Sequence, residues 1–230
     1  FAAGLSPEVV HAQPGVLVSR FVDGVTLSPQ DVRDPVRLAP LVALIKQCHQ
    51  GMPRHLTGPA LMFWVFQVIR NYLVLLEGKA PSLLHAQLPR CGSMVADLER
   101  AVGPVDIVFG HNDLLAGNFI DDGARLWLID WEYAGFNIPL FDLANVSVNN
   151  GFDPAQDAEL LHRYFGQVAD ARRWRAFMAM RCASVLRETL WAVVSHHTSR
   201  IDFDYATYAH DWHGRLDSAW ELFVRCPAPD

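Results

Sequence analysis

Apolar residues recur along most of this chain at the spacing of amphipathic helices. In the segment LAPLVALIKQCHQ (38–50), Leu41, Leu44, Ile45 and Cys48 fall on one face of a helix. Further helices are predicted at 61–76, 88–102, 155–167, 171–198 and 204–225. The pattern therefore predicts a core that is built mainly from helices.

Short apolar runs predict strands in two regions of the chain. The run PGVLVSRFVDG (14–24) is an apolar strand followed by a glycine-bearing turn, and 105–109 is a second apolar strand. In the segment 118–130, Asp122-Gly123 separates two apolar runs, which is a strong hairpin signal. Helices thus surround one short β-hairpin, and the predicted fold class is α+β.

An unusually polar stretch, GHNDLLAGN (110–118), lies between the strand at 105–109 and this hairpin. Pairing around Asp122-Gly123 brings Asn118 and Asp130 toward the same open end of the hairpin, with Asp113 just beyond the preceding strand. Unpaired buried carboxylates are costly, so this cluster implies a cation or a bound substrate. Oxygen-only ligands suit Mg²⁺ better than a transition metal. Alternatively, these are turn and capping residues, and spacing alone leaves both interpretations open.

The composition disfavours two classes of partner. The formal net charge is −6, and the Lys and Arg residues form no cluster beyond the short run of Arg172, Arg173 and Arg175, which the sequence predicts to be a solvated helix end. A nucleic-acid binder needs a larger basic surface. The longest apolar stretch (61–76) is interrupted by Gln67, Arg70 and Asn71, so it predicts a buried helix and no stable membrane insertion. The four cysteines form no CxxC pair, which indicates free thiols in a reducing, cytoplasmic compartment. The sequence gives no indication of oligomeric state.

The polar stretch also has a specific spacing. His111-x-Asp113-x(4)-Asn118 matches the H-x-D-x(4)-N catalytic loop of protein-kinase-like enzymes. Together with LWLIDWEYAG (126–135) and FDLAN (141–145), it makes the chain resemble the choline/ethanolamine kinases of the aminoglycoside-phosphotransferase-like group. In addition, LVSRFVDGVTL (17–27) resembles the hinge strand between the two lobes, and 190–209 resembles the family's choline-pocket helices.

This resemblance implies an ATP- and Mg²⁺-dependent small-molecule kinase that phosphorylates the hydroxyl of choline, ethanolamine or a related amino alcohol. Asp113 is then the catalytic base, and His111 supports the backbone of the loop. Asn118 and Asp130 hold the Mg²⁺ ions that bridge the ATP phosphates. Phosphoryl transfer is mostly a matter of positioning and charge neutralisation, which these residues would supply.

The hinge resemblance also implies a domain organisation. A hinge strand offers backbone N–H and C=O groups to adenine, here those of Arg20 and Val22. Residues 1–27 are then a remnant of the N-terminal lobe with the hinge strand, and 28–230 form the helical C-terminal catalytic and acceptor-binding lobe. No Gly-rich phosphate loop and no strand lysine precede residue 14, so the N-terminal lobe is expected to be largely absent from this chain.

The acceptor site is expected to combine aromatic faces with a carboxylate, because ring quadrupoles attract a quaternary ammonium. The resemblance implies the acceptor-binding residues Tyr133, Asn149, Phe152, Glu188, Trp191 and Tyr208. Two of them depart from choline kinases: Asn149 replaces a glutamate, and Glu188 replaces a tryptophan. Either the carboxylate has moved from position 149 to 188, or the acceptor is a smaller or more polar amino alcohol.

Two other functions stay open. One is a catalytically silent kinase-like protein that binds a ligand or a partner, and the other is a kinase for a different hydroxyl acceptor such as an aminoglycoside. The complete set of Asp113, Asn118 and Asp130 favours an active phosphotransferase, because a silent relative has no need of a base and two Mg²⁺ ligands.

Overall fold

The computed structural model of this protein describes residues 1–79 and 83–227, and the chain divides into two units. The first unit comprises Phe1–Met62 and Asp106–Ala169, and the second comprises Phe63–Val105 and Asp170–Asp230. The sequence predicts a boundary at residue 27, between the two lobes of a kinase fold. This boundary is not the one that separates the two units, and it stays a prediction.

The first unit contains all the strands that the described residues form. They are β1 (Val9–Gln13), β2 (Val16–Ser19), β3 (Val25–Thr26), β4 (Val108–Gly110), β5 (Phe119–Asp121), β6 (Leu126–Leu128) and β7 (Gly135–Asn137). They form three small antiparallel sheets: β1-β2, β3-β5-β6 and β4-β7. The hairpin predicted around Asp122-Gly123 is confirmed as β5-β6. The α+β class is likewise confirmed.

The strand predicted at 14–24 is shorter in the structure. Gly15, at φ +81°, forms the turn between β1 and β2. β2 ends at Ser19, and the backbone N–H of Arg20 then makes a last hydrogen bond to the Glu8 carbonyl (2.7 Å). Pairing with a five-residue partner strand therefore limits the length of β2, whereas the apolar run of the sequence continues.

Helices occur in both units and make up most of the second. The first unit contains α1 (Pro29–Arg33), α2 (Pro35–Gly51), α5 (Pro139–Asn150) and α6 (Pro154–Phe165); the second contains α3 (Val65–Leu76), α4 (Leu88–Val102), α7 (Ala171–Thr198) and α8 (Tyr205–Arg225). Local capping sets several of these starts. Asp153 accepts the backbone N–H groups of Ala155 and Gln156 at the start of α6, and Asp170 accepts that of Arg173 at the start of α7.

Helix α5 was not among the predicted helices. In its sequence, PLFDLANVSVNN, the polar residues Asp142, Asn145 and Asn150 are buried. The spacing of apolar residues alone therefore does not predict this helix. Helix α3 begins at Val65, four residues later than predicted. Leu61 and Met62 instead contact Phe136 of β7, where the Leu61 carbonyl accepts the Phe136 N–H (2.8 Å).

Two expectations drawn from composition can be compared with the fold. All four cysteines are free, and Cys48, Cys91 and Cys182 are buried, as the scattered cysteine pattern predicted. Within residues 1–79 and 83–227, every helix is too short or too polar to span a bilayer. The apolar segment at 61–76 is accordingly a helix of the second unit from Val65 onward.

Candidate active site

The polar stretch 110–118 forms a tightly hydrogen-bonded loop after β4. The Asn118 side-chain Nδ2 donates to the backbone carbonyl of Asp113 (2.8 Å), and the Leu115 N–H donates to the same oxygen (3.0 Å). Asn118 is buried and Asp113 is half-buried. Because the amide nitrogen of Asn118 is engaged, its oxygen Oδ1 is the atom that can ligate a cation.

The β5-β6 hairpin brings Asp130 to the same end as Asn118. Phe119 pairs with Leu128, and the N–H of Ile129 donates a hydrogen bond to the Asn118 carbonyl (3.0 Å). Asp130 is the next residue after Ile129 and so lies close to Asn118. Asp130 is exposed and has φ +62°, in the left-handed region. Such a conformation is strained for a residue with a Cβ, and strain of this kind concentrates at functional sites.

His111 joins the loop to the hairpin from inside the protein. Its Nε2 contacts the Ile129 carbonyl (2.9 Å), and its ring meets that of Trp131 edge to face, with 4.8 Å between centroids. Burial lowers the pKa of His111 and outweighs the opposing effect of nearby Asp142. The ring is therefore neutral at pH 7, and Nε2–H is the donor to the carbonyl.

The loop is anchored by helix α5. The carboxylate of Asp142 accepts the backbone N–H groups of His111 and Asn112 (2.8 Å each), and Oδ1 of Asn145 accepts the N–H of Leu114 (2.5 Å). Asp142 and Asn145 lie three residues apart and so share one face of the helix. The segment 141–145 is recognisable in the sequence as a motif, but nothing in its pattern predicted that Asp142 and Asn145 contact the loop.

A second buried contact extends this anchor. Nε2 of His49, on α2, lies 2.9 Å from Asp142 Oδ2, and its Nδ1 lies 2.7 Å from the Tyr164 hydroxyl. Burial alone would raise the pKa of Asp142, but the hydrogen bonds from His49 and His111 hold it below its usual value. His49 follows Val42 and Ile45 on the apolar face of α2, and a polar residue on that face was the available sequence signal.

Asn112 occupies the position where protein kinases usually have arginine. It has φ +68°, and its Nδ2 donates to the carbonyls of Tyr133 (2.9 Å) and Gly135 (3.3 Å). Its Oδ1 accepts from Asn137 Nδ2 (2.9 Å). A Cβ at Gly110 would lie 2.8 Å from this oxygen, so only glycine fits beside the asparagine. Asn112 thus ties the loop to β7.

A cavity of about 520 Å³ opens in the first unit beside Asp130. Its lining includes Val9, Leu17, Ser19, Ile129, Asp130 and Trp131. Arg20 and Val22, the expected adenine contacts, follow Ser19 along the chain and are not part of this lining. The N–H of Arg20 donates a hydrogen bond to the Glu8 carbonyl. The backbone carbonyl of Arg20 is therefore the group of this residue that is predicted to contact adenine.

Three of the expected acceptor residues lie in the second unit and contact one another. The Tyr208 hydroxyl donates to Glu188 Oε1 (2.8 Å), and Oε2 of Glu188 lies 3.1 Å from the buried guanidinium of Arg187. The Trp191 ring lies 5.8 Å from that of Tyr205 and 6.1 Å from that of Tyr208. The charge of Glu188 is therefore largely compensated by Arg187, a pairing that the sequence analysis did not anticipate.

The other three expected acceptor residues lie in the first unit. Tyr133 and Asn149 are half-buried, whereas Phe152 is 5% exposed and packs in the core just beyond α5. The Phe152 N–H donates to the Ser147 carbonyl (3.0 Å). Tyr133 and Asn149 thus have side-chain surface to offer a ligand, and Phe152 has very little.

Known proteins are similar to this chain along most of its length. The family model "Choline/ethanolamine kinase" matches residues 2–160. Human ethanolamine kinase 2 is 29% identical over 233 residues, which cover 90% of this chain and 60% of that protein. This chain therefore spans about three fifths of that relative's length.

Two solved structures show the same fold. The crystal structure of a choline/ethanolamine kinase family protein from Mesorhizobium loti has a TM-score of 0.83 and 30% identity, covering 97% of this chain and 78% of that one. A thermostable mutant of aminoglycoside phosphotransferase APH(4)-Ia, in a ternary complex with ADP and hygromycin B, has a TM-score of 0.62 and 21% identity, covering 100% and 80%. The chain therefore belongs to the choline/ethanolamine kinase family, within the aminoglycoside phosphotransferase-like kinase fold.

Proposed function

We propose that this protein transfers the γ-phosphate of ATP to the hydroxyl of choline, ethanolamine or a related amino alcohol. The observation that carries the proposal is the anchored loop, in which Asn118 is bonded to the backbone of Asp113 and Asp142 holds the preceding residues. Family membership supports it, because choline/ethanolamine kinases are phosphotransferases with an alcohol acceptor.

Asp113 is the proposed base. Its carboxylate accepts the proton of the acceptor hydroxyl while that oxygen bonds to the γ-phosphorus and the bond from phosphorus to the bridging oxygen breaks, which releases ADP. The anchoring of the loop by α5 holds Asp113 in place, and His111 supports the loop through Ile129. Such positioning is the main contribution that a protein makes to phosphoryl transfer.

Asn118 and Asp130 are the proposed Mg²⁺ ligands. Within the residues that the structure describes, no three His, Cys, Asp or Glu side chains cluster tightly enough to hold a metal by themselves. Mg²⁺ fits this donor set, because it is commonly held by one or two protein oxygens together with substrate phosphates and water. When bound, the ion would neutralise the charge that develops on the phosphates.

The nucleotide is proposed to occupy the cavity beside Asp130. Its volume of about 520 Å³ lies in the ordinary range of ligand sites, and Val9, Leu17 and Ile129 give it apolar surface for a base. APH(4)-Ia, which shares the fold, has been crystallised with ADP. Backbone groups of Arg20 and Val22, which follow the end of β2, stay the proposed adenine contacts.

The ammonium of the acceptor is proposed to meet the aromatic faces of Trp191 and Tyr208. Because Arg187 compensates Glu188, the attraction for a cation there rests more on ring quadrupoles than on net charge. Tyr133, Asn149 and Phe152 stay candidate contacts in the first unit. Glu188 is proposed to orient the Tyr208 hydroxyl. It also attracts the ammonium through the part of its negative charge that Arg187 does not compensate.

Replacing Trp191 tests this part of the proposal. We expect Trp191→Ala to raise KM for choline about 2- to 30-fold, since a cation over a ring is stabilised by roughly 0.5–2 kcal/mol. Steady-state kinetics with choline and with an uncharged alcohol would measure it, and Trp174→Ala on the same helix is the matched control. Equal changes for both acceptors, or for both variants, would show that Trp191 makes no cation contact.

The proposed activity itself is tested by incubating the full-length protein with ATP and a panel of choline, ethanolamine and an aminoglycoside. Mass spectrometry of the acceptors and measurement of ADP would identify the product. We expect a phosphorylated amino alcohol that forms only when Mg²⁺ is present. Binding of ATP without phosphorylation of any acceptor would instead identify a catalytically silent protein, and phosphorylation of the aminoglycoside alone would identify a different kinase.

A further inference from the structure

The second unit contains a cleft that the proposed kinase reaction does not use. Its volume is about 440 Å³, and it lies where the C-terminal end of α4, the first turns of α7 and the end of α8 meet. Its lining includes Arg100, Gly103, Arg172, Arg175, Trp220 and Phe223. None of these residues is a candidate for the nucleotide, the metal or the acceptor.

The cleft concentrates positive charge on a chain of net charge −6. Of the lining residues within 1–79 and 83–227, three carry guanidinium groups and one, Asp97, carries a carboxylate, which lies 2.9 Å from Arg100 Nη1. Arg172 is exposed, and its guanidinium lies against Gly103, where a Cβ would come within 3.4 Å of Nη2. Arg175 donates to the Cys226 carbonyl. Among the lining residues that the structure describes, two of the three cations thus have no carboxylate beside them.

The same cleft has an aromatic surface. The rings of Trp220 and Phe223 lie 5.5 Å apart at their centroids, and the guanidinium of Arg175 lies over the Phe223 ring at 4.7 Å. Trp220 is half-buried, so part of its indole faces the open space. A flat apolar group can stack on such a surface while an attached anion meets the guanidinium groups.

We propose that this cleft binds a small organic anion, a phosphate monoester or carboxylate carried on a flat apolar group. Guanidinium forks match the oxygens of phosphate and carboxylate, and they do so most strongly where apolar surface excludes water. Arg172 and Arg175 hold the anion, and Trp220 contacts the apolar group. The volume of the cleft is in the range of small-molecule sites.

Phenyl phosphate is the probe that combines both features. It would be titrated into the protein without Mg²⁺ or nucleotide, with calorimetry and tryptophan fluorescence as readouts. We expect saturable binding, a Kd that Arg172→Gln raises by about tenfold through the loss of one charge-assisted contact, and no change for Arg200→Gln. Arg200 is an exposed arginine of the same unit that does not line the cleft.

A second variant and two further probes make the test decisive. Arg175→Lys keeps the charge but loses the planar fork, so we expect an intermediate Kd. Inorganic phosphate and benzyl alcohol each carry half of the proposed chemistry and should bind at least about tenfold more weakly than phenyl phosphate. Absence of saturable binding, equal losses for Arg172→Gln and Arg200→Gln, or equal affinity for inorganic phosphate would overturn the proposal.

Discussion

Asp113→Asn is expected to lower kcat for phosphoryl transfer by about 10²-fold or more in the full-length protein, because an amide cannot accept the proton of the acceptor hydroxyl. The substitution is nearly isosteric. It leaves the backbone carbonyl at position 113, so the hydrogen bond from Asn118 persists and the loop keeps its shape. Steady-state kinetics would measure kcat, and calorimetry would show that the affinity for the nucleotide is retained.

A matched control is Asp106→Asn, an exposed aspartate that precedes β4. It should leave kcat unchanged, because Asp106 lies outside the loop that carries the chemistry. Turnover at the wild-type rate in Asp113→Asn would remove Asp113 as the base. Loss of nucleotide binding together with kcat would point to collapse of the loop rather than to loss of a base.

Asp142→Ala is expected to cost roughly 3–5 kcal/mol of unfolding free energy, as is usual when one partner of a buried charged network is removed. The substitution leaves the backbone N–H groups of His111 and Asn112 and the ring of His49 without their acceptor inside the protein. Urea unfolding followed by circular dichroism would measure the loss. Asp106→Ala, at an exposed position, should change the free energy by no more than about 0.5 kcal/mol.

The stabilisation by Asp142 should also depend on pH, because the folded protein holds its pKa below the usual value. A lowered pKa stabilises the fold fully above the unfolded value of about 3.9, and that stabilisation is lost as the pH falls through the folded pKa. The difference in unfolding free energy between wild type and Asp142→Asn should therefore shrink below about pH 4. A difference that stays constant from pH 7 to pH 3 would contradict the ionised anchor.

Most of the elements could be predicted from local pattern. Helical spacing located α2, α4, α6, α7 and α8 to within a few residues, and Asp122-Gly123 located the β5-β6 hairpin. These features depend on residues that are close in sequence. Amphipathic spacing and turn chemistry involve only neighbouring residues, so they can be recognised in the sequence without knowledge of the fold.

Elements whose polar residues are buried could not be predicted in this way. In α5, the side chains of Asp142 and Asn145 face inward because they hydrogen-bond to a loop about thirty residues earlier in the chain. From the local sequence pattern alone, an aspartate or an asparagine is predicted to lie on the surface. Only the partner across the fold makes its burial favourable.

The sequence by itself indicated the family and predicted the residues of the proposed chemistry, because the spacing from His111 to Asn118 and the position of Asp130 are properties of the chain. The tertiary structure alone decided how that loop is held and how Glu188 is paired. His49 and Asp142 meet across ninety-three residues, and Arg187 turns its guanidinium to Glu188 inside the second unit. Such contacts depend on side-chain directions and desolvation, which exist only after the helices have packed.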